Sequence, residues 1–414
     1  MRFFKDLSIS TATAGFVAVL VGYTSSVAIV FQAALAFGAT PDIIASWMWA
    51  LGLGMGVCTV VPSLWLRKPV MVAWSTPGAA VLASAGLAGA AGTTAGGFTM
   101  AQAVGAFMAC AVLITLAGCT GWFERVMKRI PLTIASALLA GVLARFGLAG
   151  FAAAQTALPL VLTMLLAYLL GRRFWPRFAV PVTLLVAIIF VAAGACFTGA
   201  SVTFGITTPV FLAPEITVAA LITLALPLFI VTMASQNLPG VATLQACGFG
   251  DRRAEGGDAG IPVSRIITLT GVASFVLAPF GGFALNFSAI TAAICMGPQA
   301  HPDPQRRYTA AVVCGAIYVV VGLFGAAVTG VLTAFPKELV AAIAGLALLG
   351  TIGSALQAAM QDEKQREAAL ITFLVTLSGV VVAGVGSAFW GVVAGALALL
   401  VQHYRPRSAG RDAT

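Results

Sequence analysis

Val72-Ala73-Trp74-Ser75-Thr76-Pro77-Gly78-Ala79-Ala80 interrupts one apolar run of the chain, and Phe283-Ala284-Leu285-Asn286-Phe287-Ser288-Ala289-Ile290-Thr291 interrupts another. Each stretch begins with residues that suit extended chain, reaches a polar Ser/Thr/Asn knot, and passes into a helix of small residues. Extended chain cannot satisfy its own N–H and C=O groups, and lipid supplies no partner for them. Such breaks survive at membrane depth only where protein buries them or where they line a cavity. A pair of them at corresponding positions of two halves marks a transporter's binding site.

The rest of the chain supports a membrane setting. Of 414 residues, 60% are hydrophobic and 8% charged, whereas soluble domains carry about 25% charged residues. The expected fold is an all-α polytopic membrane protein. Met1-Arg2-Phe3-Phe4-Lys5-Asp6 leads into a long apolar run without a convincing cleavage site, so the first span is expected to be retained.

The net charge of +9 does not point to nucleic acid, because all but Arg145 and Lys337 of the 22 Lys and Arg residues fall at the N-terminus, at every second loop or at the C-terminus. This is the positive-inside pattern; it places both termini in the cytoplasm and requires an even number of spans. The seven cysteines are scattered without a Cys-x-x-Cys, and small apolar filler is the expected role of each rather than a metal or disulfide role.

A span needs about 20 apolar residues. Fourteen membrane elements are expected. The first seven cover 12–37, 43–66, 70–89, 98–121, 131–149, 157–171 and 178–196. The second seven cover 216–240, 262–281, 283–297, 308–333, 336–357, 368–384 and 386–404. Seven is odd, so the halves 1–200 and 201–405 must lie in opposite orientations, as inverted repeats do. Internal echoes agree: Ser25-Ser26 and Ser235-Gln236-Asn237 stand in the first element of each half, and Pro131 and Pro336 open the fifth. Gly52, Gly54, Gly56, Gly322, Gly325 and Gly330 are expected to let helices approach closely. The pairs Trp47/Trp49 and Trp122/Phe123 read as interfacial anchors. The tail 406–414 is polar and reads as disordered.

The chemistry-bearing residues cluster at the two knots. In the first, Trp74, Ser75, Thr76 and Pro77 suit a helix start, with Ser75 or Thr76 as N-cap and Pro77 at the first position. In the second, Asn286 or Ser288 would cap a helix running the opposite way, with Phe287 beside it. Two helix N-termini then converge near the midplane, each with free N–H donors and about half a positive charge. That would hold an anion without Arg or Lys. The plainer alternative is a pair of Pro/Ser kinks in ordinary helices. Gln236 and Asn237 inside a span need partners and either line the cavity or bridge helices, and Tyr23, Ser25, Ser26 and Gln32 form a weaker set of the same kind. All 13 Asp and Glu residues map to loops, termini or span ends. Without a mid-span carboxylate a cation substrate is disfavoured, and Trp74 and Phe287 would offer an aromatic wall. His301 and Glu215 are the weak candidates for proton coupling, and a solvated loop is the plainer setting for His301.

Ala73-Trp74-Ser75-Thr76-Pro77-Gly78-Ala79-Ala80, Met233-Ala234-Ser235-Gln236-Asn237, Ala289-Ile290-Thr291-Ala292-Ala293-Ile294-Cys295 and Gly386-Ser387-Ala388-Phe389-Trp390-Gly391 resemble the BenE family of benzoate:proton symporters. The likeness runs over nearly the whole chain. That family is similar in architecture to nucleobase–ascorbate transporters and sulfate permeases. The resemblance implies seven-plus-seven inverted repeats, short strands and half-helices in elements 3 and 10, a core of elements 1–4 and 8–11 (about 12–121 and 216–333), and a gate of elements 5–7 and 12–14 (about 131–196 and 336–404). It also implies a bacterial-type inner membrane, a homodimer, and import of a small aromatic carboxylate with a proton by an elevator-like movement. The acidic residues that nucleobase transporters use fall near Gln236 and Ser288, which do not ionise usefully, so nucleobases are disfavoured. A channel or uniporter for small anions or neutral solutes on the same scaffold is the alternative. An enzyme is not expected, and neither is a cofactor.

Overall fold

The computed structural model describes residues 3–24, 26–90, 97–121, 132–193, 205–250, 260–298, 300–380, 382 and 387–403. Ser25, the Trp122/Phe123 pair, Pro131, Gly386 and the 406–414 tail lie outside the described residues.

The first half contains helices α1 (Ile9–Thr24), α2 (Val27–Ala36), α3 (Pro41–Leu66), α4 (Thr76–Ala90), α5 (Met100–Cys119), α6 (Leu132–Ala152), α7 (Ala154–Phe174) and α8 (Ala179–Ala193), with strand β1 (Val72–Trp74) ahead of α4. The second half contains α9 (Val218–Gln245), α10 (Val263–Leu277), strand β2 (Leu285–Phe287), α11 (Ile290–Met296), α12 (Tyr308–Leu323), α13 (Gly325–Ala334), α14 (Lys337–Ala359), α15 (Arg366–Ser378) and α16 (Ser387–His403). Apolar, Ala- and Leu-rich sequence makes helix the default, since a helix satisfies its own backbone in lipid. Starts are set locally. Thr40 accepts the Ile43 N–H ahead of Pro41, and Thr99 and Gln102 form a reciprocal capping box at α5.

Among the described residues, eight helices are long and apolar enough to cross a membrane, or nine if α14, bent by 40°, counts as one. The other expected elements appear as shorter or broken pieces: β1 with α4, β2 with α11, and the helices α8, α15 and α16. The first expected span counts as one run over Ile9–Ala36 but is not one unbroken helix. It divides between α1 and α2, where the Ser26 hydroxyl donates back to the Gly22 carbonyl at 2.8 Å, a bond that bends helices. The span expected at 216–240 likewise carries two π-helical turns, Leu221–Ala225 and Met233–Asn237. Pro336 stands one residue before α14 as its N-cap rather than in its first turn.

Two packing groups result. In one, α3 lies on α12, α5 on α10, α1 on α12 and α2 on α4, with both strands inside. In the other, α6 lies on α14 and α15, α7 on α8, and α15 on α16. The α3–α12 crossing is a backbone contact: a Cβ added at Gly52 would stand 2.6 Å from the Gly322 Cα. Lipid gives apolar side chains no reason to leave it, so close backbone packing of this kind holds membrane helices together. Trp47 corrects an expectation. It is no interfacial anchor but is fully buried, against Phe107 at 5.4 Å and Phe283 at 5.8 Å between ring centroids. Its flanks look the same as those of a true anchor, and only the tertiary contacts separate the two.

Candidate functional site

The two extended stretches find their hydrogen-bond partners in each other. β1 pairs antiparallel with β2, Val72 opposite Phe287, Ala73 opposite Asn286 and Trp74 opposite Leu285. Bonds from the Ser75 N–H to the Ala284 carbonyl and from the Ser288 N–H to the Met71 carbonyl, both 3.0 Å, extend the ribbon at its ends. A two-stranded ribbon still has two open edges, which lipid-facing protein cannot leave unpaired. Side chains close both. On the β1 edge, Thr59 of α3 accepts the Val72 N–H at 3.1 Å and Ser63 accepts the Val70 N–H at 3.0 Å. On the β2 edge, Ser274 of α10 accepts the Leu285 N–H and Asn237 of α9 accepts the Phe287 N–H, both at 3.0 Å.

Each strand then feeds a helix. Ser75 is the N-cap of α4: its hydroxyl accepts the Gly78 N–H at 3.1 Å and its carbonyl accepts the Ala79 N–H at 2.8 Å. Thr76 and Pro77 are thus the first two helical residues. A further bond from the Thr232 hydroxyl to Ser75 Oγ, 2.8 Å, fixes that cap against α9. The second start differs from the expectation. Neither Asn286 nor Ser288 caps α11; Asn286 lies within β2, and the residue preceding α11 is Ala289, without a side-chain cap. Ser288 instead bonds the Thr291 hydroxyl at 2.6 Å. The N–H groups of Thr76, Ala289 and Ile290 make no backbone bond among the described residues.

A cavity of about 590 Å³ opens where these parts meet. Tyr23, Ser26, Trp74, Thr76, Gln236 and Ser288, six of the ten expected binding residues, line it together. Tyr23 and Trp74 form an aromatic shelf with ring centroids 5.1 Å apart, and the Trp74 indole N–H donates to Ser26 Oγ at 2.8 Å. Ser136, Leu139 and Leu143 of α6 and Ala347, Leu348, Ala355 and Ala358 of α14 form the facing wall. No Asp, Glu, Lys, Arg or His is among the lining residues described. The lining therefore offers hydroxyls, an amide, three aromatic rings (Tyr23, Trp74 and Tyr318) and the α4 N-terminus, a mostly apolar pocket with a few convergent polar groups.

The remaining four, Ser75, Asn237, Asn286 and Phe287, stand behind the lining. All are buried, at 1% exposure or less. With its amide oriented to satisfy both ends, Asn286 accepts the Ser75 N–H at 3.0 Å and donates to the Phe287 carbonyl at 2.8 Å. His301 and Glu215 lie away from the cavity. His301 Nδ1 accepts the Asp303 N–H at 3.0 Å in the loop after α11. Glu215 accepts from Gln102 Nε2 at 3.2 Å, beside the start of α5. Sequence reasoning missed Thr59, Ser63 and Ser274. A signal was present: each is a hydroxyl residue within an apolar helix that adjoins a predicted strand in sequence, where an open edge needs an acceptor.

A family model, "BenE: Benzoate membrane transport protein", matches residues 5–401. The "Inner membrane protein YdcO" of Escherichia coli (strain K12) is 45% identical over 391 residues, covering 94% of this chain and 95% of that one. The "Benzoate membrane transport protein" of Acinetobacter baylyi is 38% identical over 397 residues, 96% of each. Among solved structures, the transmembrane domain of the cyanobacterial bicarbonate transporter BicA aligns with a TM-score of 0.55 at 16% identity, over 95% of both chains. The murine anion transporter Slc26a9 aligns with a TM-score of 0.54 at 14% identity, over 96% of this chain and 68% of that one. At such identities the last two likenesses are likenesses of fold.

Proposed function

Since the chain belongs to the BenE family of benzoate membrane transport proteins, membrane transporters and not enzymes, we propose that it imports benzoate or a similar small aromatic carboxylate together with a proton. The observation that carries this reading is the cavity between the two packing groups. Its aromatic shelf, Tyr23 and Trp74, stands beside the α4 N-terminus and the hydroxyls of Thr76 and Ser288. The ring stacks on the shelf and the carboxyl group meets the helix start, where the free Thr76 N–H and the positive dipole end face its oxygens. Ser75, Asn237, Asn286 and Phe287 serve the site by holding the ribbon that aims these groups.

The transport cycle follows from the same division. The group holding the ribbon is the core; the group of α6–α8 and α14–α16 is the gate. The core carries the substrate past the gate in an elevator-like movement, and the fourteen elements form two inverted repeats of seven. Both termini lie in the cytoplasm of a bacterial-type inner membrane, and the protein works as a homodimer. The proton travels with the substrate as the neutral acid. The test is uptake of labelled benzoate into proteoliposomes: an inward pH gradient should drive accumulation and competition by other aromatic acids. Uptake that ignores the gradient removes the symport reading, and flux without saturation or counterflow makes the protein a channel.

A further inference from the structure

The cavity has two unlike sides. On one side are the aromatic shelf and most of the polar groups. On the other, α14 presents a stripe of small side chains, Ala347, Ser354, Ala355 and Ala358, to the same space. All four reach the same space although α14 bends by 40° between Ala347 and Ser354. An ordinary gate contact would fill such a face with Leu or Phe, as Leu348 of α14 and Leu139 of α6 do elsewhere on this wall. Here the space is left unfilled.

The size of that space decides what it suits. The cavity measures about 590 Å³, roughly four times the ~150 Å³ apolar cavity that takes up benzene. A single ring on the Tyr23/Trp74 shelf leaves the region under the alanine stripe empty or wet. Three of the four stripe residues are alanines, so water there finds few of the two to four polar partners that hold it in place. A second fused ring is the group that fits such a region, because it adds apolar area without a polar atom to desolvate. Resting on the uptake reading above, we propose that the α14 stripe sets the upper size of the substrate, and that the site accepts fused two-ring aromatic carboxylates as well as one-ring ones.

Binding of benzoate and of 2-naphthoate to the purified full chain, measured by calorimetry, tests this. The parent protein should bind the two acids with Kd values within tenfold of one another. Ala355→Leu fills the stripe and should lower the naphthoate-to-benzoate affinity ratio at least tenfold, and Ala358→Leu should do the same should the first variant fold poorly. Competition of each acid for labelled benzoate uptake should follow the same ratio. Naphthoate binding a hundredfold weaker than benzoate in the parent, or an unchanged ratio in both folded variants, overturns the proposal while leaving benzoate transport standing. Failure of both acids to bind the parent overturns the uptake reading itself, and this inference with it.

Discussion

Asn237 holds Phe287 by its backbone: the Asn237 carboxamide oxygen accepts the Phe287 N–H at 3.0 Å, and both residues are buried. The bond joins the π-helical turn of α9 to the open edge of β2. Close approach is possible because residue 240 is glycine, where a Cβ would meet the Phe287 Cβ at 2.5 Å. Asn237→Ala would strand the N–H without a partner in an apolar interior, a loss of about 1–3 kcal/mol. A lower melting temperature in detergent is expected, together with weaker benzoate binding because β2 and Ser288 shift with it. An unchanged melting temperature would mean that β2 is held without this bond.

The Trp74 indole and the Ser26 hydroxyl form one unit with a 2.8 Å bond. Ser26→Ala and Trp74→Phe each remove that bond while keeping most of the shelf. Each is expected to weaken benzoate binding about fivefold, the equivalent of roughly 1 kcal/mol. Because the two changes delete the same interaction, the double variant should be weaker than the single ones by much less than the product of their effects. Full additivity in calorimetric titrations would show that the indole orientation does not depend on Ser26.

Glycine has opposite meanings at two places in this bundle. Gly322 touches the α3 backbone, where an added Cβ would lie 3.0 Å from the Gly52 Cα. Gly353 has nothing within 4 Å of its added Cβ. Gly322→Val should therefore push α12 off α3 and abolish the monodisperse folded protein in size-exclusion chromatography. Gly353→Ala should raise the melting temperature slightly, since glycine inside a helix costs about 0.5–1 kcal/mol relative to alanine. A tolerated Gly322→Val would contradict the backbone contact.

Much of this arrangement is legible in the chain, for reasons particular residues make plain. Extended residues at Val72–Trp74 and Leu285–Phe287 inside apolar runs had few physical outcomes open to them, and mutual pairing is the one that satisfies both backbones. Ser75 as an N-cap follows from a local rule acting over three residues, and local rules survive in any tertiary setting. Polar residues were harder to assign. Gln236 and Asn237 are neighbours in sequence, yet one lines the cavity and the other is turned to β2. The π-helical turn at Met233–Asn237 rotates the side chains away from ordinary helical spacing, and nothing in the residue types announces it. Asn286 and Phe287 appeared to belong to the pocket because they flank its edge, but strand geometry buries both, with Ser288 the first residue to emerge. Trp47 reads as an anchor for the same reason: its partners Phe107 and Phe283 lie far along the chain.

The proton's route gives the last prediction. No lining residue described carries a carboxylate or an imidazole, so the cavity itself offers no group that would take up a proton in the physiological range. His301 is occupied with the Asp303 N–H in its loop, and Glu215 with Gln102 beside α5. If the proton arrives on the substrate carboxylate, neither group is needed. Uptake by the double variant His301→Gln, Glu215→Gln should still respond to an inward pH gradient as the parent does, and the external-pH dependence of uptake should follow the fraction of neutral acid. Loss of the gradient response in the double variant, with benzoate binding retained, would place the coupling on one of these two side chains, and the single variants would then identify which. Retained response with no dependence on the neutral fraction would require a protonated group other than these two and outside the cavity lining.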